Sequence, residues 1–269
     1  MLAFRGRCRT PERLVLVSPH PDDIAISMGG LAGVLAGGDV SIILVTDGSE
    51  AAVPSNVLAE HGWTPDMSAI EQRALRGRIR VEEGREEAQR LGFDRGVVRL
   101  LSRQRWFTEH RTRPDGLYPD LSLREVSRFE PGPIDDAARK EMASALAGAA
   151  VCAGPDPNDR LHMHRIVTKL VMEVRGGVSS SRAALLTYEC LSTIEPTGRQ
   201  FLFGFAEEYM QRKLHAIAAH RSMSERRRQF GGYSNTGRES YQAIVSRRNA
   251  ELARRSALSM PYAERYGWR

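Results

Sequence analysis

The stretch Leu14-Val15-Leu16-Val17-Ser18-Pro19-His20-Pro21-Asp22-Asp23 decides how this chain is read. Its first four residues are a continuous apolar run closed by a proline turn, which is the pattern of a buried strand. A strand ending in one imidazole and two adjacent carboxylates sets metal-binding and proton-transfer groups at the carboxyl edge of a sheet, where α/β folds keep their sites. His20 and Asp23 lie three positions apart, so in a tight turn their side chains can converge on one ion while Asp22 points elsewhere. Zinc takes nitrogen and oxygen ligands at about 2.0–2.2 Å and, in catalytic sites, leaves a position for water, whose proton Asp22 is then free to accept. Two acidic residues after a His-Pro turn also suit a plain helix cap, and the spacing alone leaves both readings open.

Outward from this turn the chain alternates. The pattern predicts a strand over 13–18, a helix over 28–37, a strand over 40–46, a helix over about 69–91 and a strand over 97–101. A helix over about 135–150 leads to a strand near 149–153, then to a helix that carries His164 and runs to about 175. Leu185-Leu186-Thr187-Tyr188-Glu189-Cys190 reads as another strand, and about 206–221 as a helix. Strands alternating with helices argue for the α/β class, a mostly parallel sheet with helices on both faces. Gly29-Gly30 lacks the rest of a Gly-x-Gly-x-x-Gly fingerprint, and the acidic pair stands where a pyrophosphate would approach, so no nicotinamide cofactor is expected.

The turn resembles the Pro/Ala-His-Pro-Asp-Asp signature of the LmbE-like, or PIG-L, family of zinc-dependent N-deacetylases. Further segments resemble the family in the same order: Gly29-Gly30 opening the first helix, and Ile42-Ile43-Leu44-Val45-Thr46-Asp47-Gly48 as second strand and turn. Arg80, Glu82-Glu83, Ala88 and Leu91-Gly92 follow on one helix, then Lys213, Ala216 and His220-Arg221-Ser222, and finally Tyr262-Ala263-Glu264. The likeness covers most of a single domain over 1–269 and leaves about 50–70 and 100–140 as insertions. It implies a Rossmann-like sheet, a Zn2+ cofactor held by His20, Asp23 and a later His at a helix start, and Asp22 as general base. Aligning His164-Arg165-Ile166-Val167 with the family's His-Arg-Ala-Val keeps Ile166, Val167, Leu170 and Val171 on one helical face and makes His164 the third ligand. Leu161 and Met163 stand where the family has its first His and its Asp, so His162, one position along, is the candidate for that first His's catalytic role, with a place as the ligand by a register shift or as a helix-start residue facing solvent left open. Ile24 replaces the family's usual Glu after Asp-Asp, which removes a residue that would back the metal ligands.

Composition fits such an enzyme. At 269 residues and 41% apolar content the chain can bury one substantial core. No run of about 18 or more apolar residues occurs, and the first residues lack the apolar stretch of a secretory signal, so a cytoplasmic location is expected. Cys8, Cys152 and Cys190 are odd in number and widely spaced, which argues for free thiols rather than a disulfide framework. The net charge of +6 and the clusters Arg226-Arg227-Arg228, Arg247-Arg248 and Arg254-Arg255 are interleaved with Glu225, Glu239, Glu251 and Glu264. That is a solvated or phosphate-attracting surface, and no specific nucleic-acid binding is expected.

The insertions bear on substrate. One carries Trp63, the other Trp106, Phe107 and His110, and aromatics on loops beside the carboxyl ends of strands suit stacking on sugar or aryl surfaces. These four are the candidate substrate-binding residues, with His110 or His162 steadying an oxyanion; the tryptophans could equally pin their loops to the core. A basic, aromatic rim would also suit weak peripheral contact with an anionic membrane surface. Within the family the chain looks most like the branch acting on the N-acetylglucosaminyl pseudoaglycone of teicoplanin-type glycopeptides, so a glycosylated small molecule or glycopeptide is the expected partner. A small pseudodisaccharide of the aminoglycoside or mycothiol-precursor kind is the alternative. From another class, loss of the family's residues at Ile24 and Leu161 suits a protein that binds sugar or metal without hydrolysis, against which the retained Asp22 argues.

Overall fold

The computed structural model describes residues 13–49, 51–101, 134, 136–177, 183–191, 193, 196–224 and 239–268. In chain order these form β1 (Leu14–Ser18), α1 (Asp23–Leu35), β2 (Val40–Leu44), α2 (Ser55–Glu60), α3 (Ala69–Leu91), β3 (Val98–Leu100) and α4 (Asp136–Leu146). There follow β4 (Val151–Pro155), α5 (His162–Gly177), β5 (Ala184–Tyr188), β6 (Arg199–Phe205), α6 (Glu207–Ile217), α7 (Tyr241–Arg255) and β7 (Tyr262–Trp268). One seven-stranded sheet runs in the order β3-β2-β1-β4-β5-β7-β6. From β3 to β5 all neighbours are parallel, with Leu16 opposite Ile42 on one side and Ala153 on the other. The expected α/β architecture is therefore present, with an addition that the sequence pattern did not announce: β7 pairs antiparallel with both β5 and β6, which leaves β6 at one edge.

The two faces of the sheet follow from strand alternation. Leu14, Leu16, Ile42 and Leu44 point to one face, where they pack with Met28 and Ala32 of α1, Ala88 and Leu91 of α3, Met210 of α6 and Val245 of α7. Val15, Val17, Ile43 and Leu185 point to the other, against Met142 of α4 and Ile166, Val167, Leu170 and Val171 of α5. β1 is thus apolar over its first four positions, Leu14 to Val17, because both its faces are covered. The β1 and β2 ends, the α5 start and the β5 end all meet at the carboxyl edge of the sheet.

Two helices have instructive ends. α3 begins at Ser68 in a capping box with Glu71 and stops at Gly92, whose φ of 102° is the left-handed conformation that glycine tolerates best. α1 starts at Asp23 rather than at 28, and it is broken at Met28 (φ −136°, ψ 20°). Gly29-Gly30 therefore stands just past a break inside the helix and does not open it. The early start is possible because buried Glu87 accepts the Ala25 amide at 3.0 Å, satisfying an N-terminal donor that would otherwise be orphaned.

The glycine pair is needed for close approach. A Cβ on Gly30 would lie 2.6 Å from the Phe205 ring, and one on Gly29 2.8 Å from Lys213 Cγ. Gly30→Ala is expected to destabilise the protein by about 1–3 kcal/mol in urea unfolding, because the Phe205 ring stands within a buried cluster and has to shift.

Candidate metal centre

Three potential ligand atoms meet above the end of β1. His20 Nδ1 lies 3.1 Å from Asp23 Oδ2, and His164 Nε2 lies 3.3 Å from the same oxygen and 3.2 Å from His20 Nδ1. The structure thus brings together the sequence-predicted His20, Asp23 and His164 from a turn and a helix 144 positions apart. Three nitrogen and carboxylate-oxygen atoms at this separation match the donor set and reach of a zinc-type divalent ion. Burial raises the Asp23 carboxyl, and the His164 and His20 imidazoles beside it reverse this and leave it lowered.

The first turn is rigidly tied. The His20 amide donates to Asp23 Oδ2 at 2.8 Å, Ser18 Oγ donates to the His20 carbonyl at 2.6 Å, and Thr46 Oγ1, past β2, donates to the Pro19 carbonyl at 2.8 Å. His164 stands in the first turn of α5 and is 1% exposed. Its other ring nitrogen, Nδ1, lies 3.2 Å from Asp159 Oδ2. That carboxylate fixes the ring so that Nε2 faces the cluster, an arrangement usual for metal-binding imidazoles. Burial opposes protonation of His164, while Asp23 and Asp159 raise its pKa well above the ordinary value.

Asp22 occupies the N-cap position of α1, yet its side chain makes no cap hydrogen bond. Arg80 Nη2 donates to Asp22 Oδ1 at 2.7 Å instead, and Arg80 is 2% exposed. The helix-cap reading of this carboxylate therefore gives way to an ion pair. Arg80 reaches it over Gly48, whose φ of +67° and missing side chain leave the space the guanidinium fills. Adjacent carboxylates are thus separated in function, Asp23 toward two imidazoles and Asp22 toward a guanidinium.

Behind Arg80 lies a second buried network. His220 Nε2 is 2.5 Å from Glu87 Oε2, its Nδ1 is 3.8 Å from Glu83 Oε2, and Glu83 accepts the Ser222 amide at 2.7 Å and its hydroxyl at 2.5 Å. Burial lowers the His220 pKa, but the two carboxylates outweigh it and lift the group to about 10.

The remaining predicted residues are placed differently. His162 opens α5, half-buried, and stands two positions and so about 200° around the helix from His164. Trp63 is half-buried and packs on the satellite cluster of Val53, Val57, Leu58, Leu75 and Ile79. Trp106, Phe107 and His110 lie outside the described residues. The sequence reading missed Asp159, because it sought a carboxylate partner in the helix register at Met163, whereas the chain brings one from the preceding loop. It also missed Cys190 beside the centre: its donor atom lies within 4.8 Å of those of Asp159 and His164, Ser27 Oγ donates to its sulfur at 3.3 Å, and burial pushes the thiol up to about 12.

An α/β sheet with a His/Asp/His cluster and a paired carboxylate at its carboxyl edge defines a protein of the Rossmann-like class with a candidate metal site. The PIG-L pattern, described as GlcNAc-PI de-N-acetylase, matches residues 15–175, and the chain belongs to that family. No curated protein matches the sequence. Among solved structures, the zinc-inhibited form of teicoplanin deacetylase Orf2 is similar at 18% identity, with 95% of this chain and 97% of that chain covered and a TM-score of 0.62. N,N'-diacetylchitobiose deacetylase from Pyrococcus horikoshii is similar at 20% identity, 96% and 84% coverage and a TM-score of 0.60. The 4-carboxy-2-hydroxymuconate hydratase GalB of Pseudomonas putida shares the fold at 13% identity, 95% coverage of each chain and a TM-score of 0.59.

The His220 network gives a pH signature. A folded pKa near 10 against an ordinary 6.5 means that His220 adds stability that is full below pH 6.5 and lost as pH rises through about 10. His220→Gln is expected to cost about 3–5 kcal/mol near neutral pH by leaving buried carboxylates without their cation. In thermal melts across pH, the gap between wild type and variant should close above pH 10; a gap that stays constant would count against a charged His220.

Proposed function

We propose that this protein is a zinc-dependent amidohydrolase that removes the acetyl group from an N-acetylglucosaminyl moiety, releasing acetate and a free amino sugar. The observation that carries the reading is the convergence of His20 Nδ1, Asp23 Oδ2 and His164 Nε2 within 3.3 Å of one another, beside an aspartate held by a buried arginine. In this reading His20, Asp23 and His164 hold Zn2+, which when bound supplies Lewis acidity toward the acetamide carbonyl and toward a water.

The protein's own groups carry the protons. Arg80 occupies Asp22 Oδ1, which fixes the carboxylate plane, so Oδ2 is the atom that accepts the water's proton. The carbon–nitrogen bond then breaks as the amine nitrogen gains a proton, for an unprotonated amine leaves poorly. Asp22 returns the proton it took, and the balance is amide plus water to acetate plus amine. His162, at the start of the helix that bears His164, is the candidate to steady the oxyanion.

For substrate we propose the glycopeptide pseudoaglycone class. The support is the full-length likeness to a teicoplanin deacetylase and an aromatic insertion whose described part, around Trp63, packs against the α3 flank of the site. Small N-acetylglucosaminyl disaccharides are the competing class, given the comparable likeness to a diacetylchitobiose deacetylase.

Mass spectrometry of zinc-loaded protein with an N-acetylglucosaminyl pseudoaglycone, and separately with simple N-acetylglucosaminides, tests both levels. Acetyl loss from the large substrate alone is expected; turnover of the small sugars alone would keep the chemistry and remove the glycopeptide assignment, and turnover of neither would remove the hydrolase reading for these substrates. Chelation should abolish turnover and added zinc restore it. Asp22→Asn should lower kcat by about 10²–10⁴-fold while zinc content, read by elemental analysis, stays at the wild-type level.

A further inference from the structure

Two segments far along the chain, Lys213 to His220 and Tyr262-Ala263-Glu264, make their contacts with α1 and α3 rather than with His20, Asp23 or His164. What they do there follows from the break in α1. In a continuous helix the amides of Gly30 and Leu31 would bond to the carbonyls of Ile26 and Ser27. Met28 leaves the helical conformation, and those amides turn to Glu264 of β7 instead, Gly30 N to Oε1 at 2.8 Å and Leu31 N to Oε2 at 2.9 Å. The carboxylate caps the second half of the helix from outside, where the positive end of the helix dipole favours an anion.

Glu264 is itself held on all sides. Lys213 Nζ meets Oε1 at 2.5 Å and Tyr266 Oη donates to Oε2 at 2.6 Å, so four donors occupy a carboxylate that is 1% exposed. Lys213 is wholly buried and its stem passes over Gly29, where a Cβ would stand 2.8 Å from its Cγ. The first half of α1, which carries Asp22 and Asp23 at its start, is capped separately by Glu87 through the Ala25 amide. Two external carboxylates therefore grip the two halves of one broken helix.

We infer that Glu264 and Lys213 are positioning residues for the metal centre: by capping α1 beyond its break they set the angle at which the first turn presents Asp22 and Asp23 to His164. The link is mechanical. Asp23 precedes Gly30 by seven residues, about 10 Å along the helix, and the residue between them that leaves the helical conformation is Met28. If the second half slips back into register with the first, the leading turn tilts and Asp23 Oδ2 leaves the two imidazoles.

This inference rests on the reading of the cluster as a metal site, so its test has one arm that does not. Because a lone buried Lys213 or Glu264 would itself unfold the protein, the variant is K213M/E264L, which removes both charges and both acceptors, with K213M/E264Q as the conservative partner that keeps one acceptor. Hydrogen exchange of the zinc-free proteins is followed over residues 19–35 and over β4 and α5. Zinc affinity is measured by competition with a chromophoric chelator. K213M/E264L should exchange faster over 19–35 with β4 and α5 unchanged, bind zinc about 10–100-fold more weakly, and lose kcat with KM retained; K213M/E264Q should recover much of each. Wild-type zinc affinity in folded K213M/E264L, or faster exchange spread evenly over the molecule, would overturn the inference. Should the wild type itself bind no zinc, the metal reading fails, and the exchange over 19–35 alone decides whether the pair holds the turn.

Discussion

Two adjacent carboxylates, Asp22 and Asp23, share one buried turn, and the rest of the site depends on keeping both charged and facing apart. Like charges about 4 Å apart repel by roughly 4 kcal/mol at the effective dielectric of a partly buried site. The protein meets this cost with opposite partners on opposite sides, Arg80 on Asp22 and the His20–His164 pair on Asp23. Neither partner could be exchanged for the other. A guanidinium at Asp23 would fill the space between the two imidazoles, and, in the function proposed above, an imidazole at Asp22 would compete for the proton that the aspartate accepts.

Holding those partners in place requires more charge to be buried. Arg80 comes from α3, whose neighbouring turns bring Glu83 and Glu87, and these meet His220. Lys213 and Glu264 form a further wholly buried pair beneath α1. Hydrophobic residues of similar size could replace such pairs with little loss of stability, or some gain. What an apolar pair could not do is accept backbone amides. Glu87 and Glu264 each take N–H groups from α1, and each also faces a buried basic side chain, His220 and Lys213 respectively. The apolar clusters on either side of the sheet hold the molecule together, and the polar layer on the α1 face decides where its leading turn points.

Much of this was written locally in the sequence. The apolar runs at 14–17 and 42–45, the Ser68-to-Gly92 helix and the His-Pro-Asp-Asp turn are short-range signals, and each appears within a few residues of its expected place. His164 was legible through the likeness of His164-Arg165-Ile166-Val167 to the family's His-Arg-Ala-Val, an alignment that keeps Ile166, Val167, Leu170 and Val171 on one face of α5. What was not legible is long-range. No local pattern says that Glu264 will meet the Gly30 amide 234 positions away, that Asp159 will approach His164 from a loop, or that β7 will insert between β5 and β6. The helix over 28–37 was misplaced for the same reason: its early start and its break are set by carboxylates on α3 and β7, and the sequence of α1 itself carries neither.

The fold does not by itself choose the reaction, since deacetylases and a hydratase share it. Both chemistries begin by taking a proton from water, and an ionised aspartate steadied by a buried arginine serves either. They part at the second proton: hydration returns it to carbon, whereas amide hydrolysis must deliver it to a nitrogen that is leaving. A base that can reach both the water and the departing nitrogen would satisfy hydrolysis with one group, and in the function proposed above that group is Asp22, its Oδ1 tied to Arg80. Its neighbour at the break of strand and helix, the His20–Asp23 turn, supplies the fixed point around which that transfer is measured. In the proposed hydrolysis the decisive feature would accordingly be the direction in which Arg80 holds the Asp22 carboxylate, set by the glycine at 48 that lets the guanidinium pass.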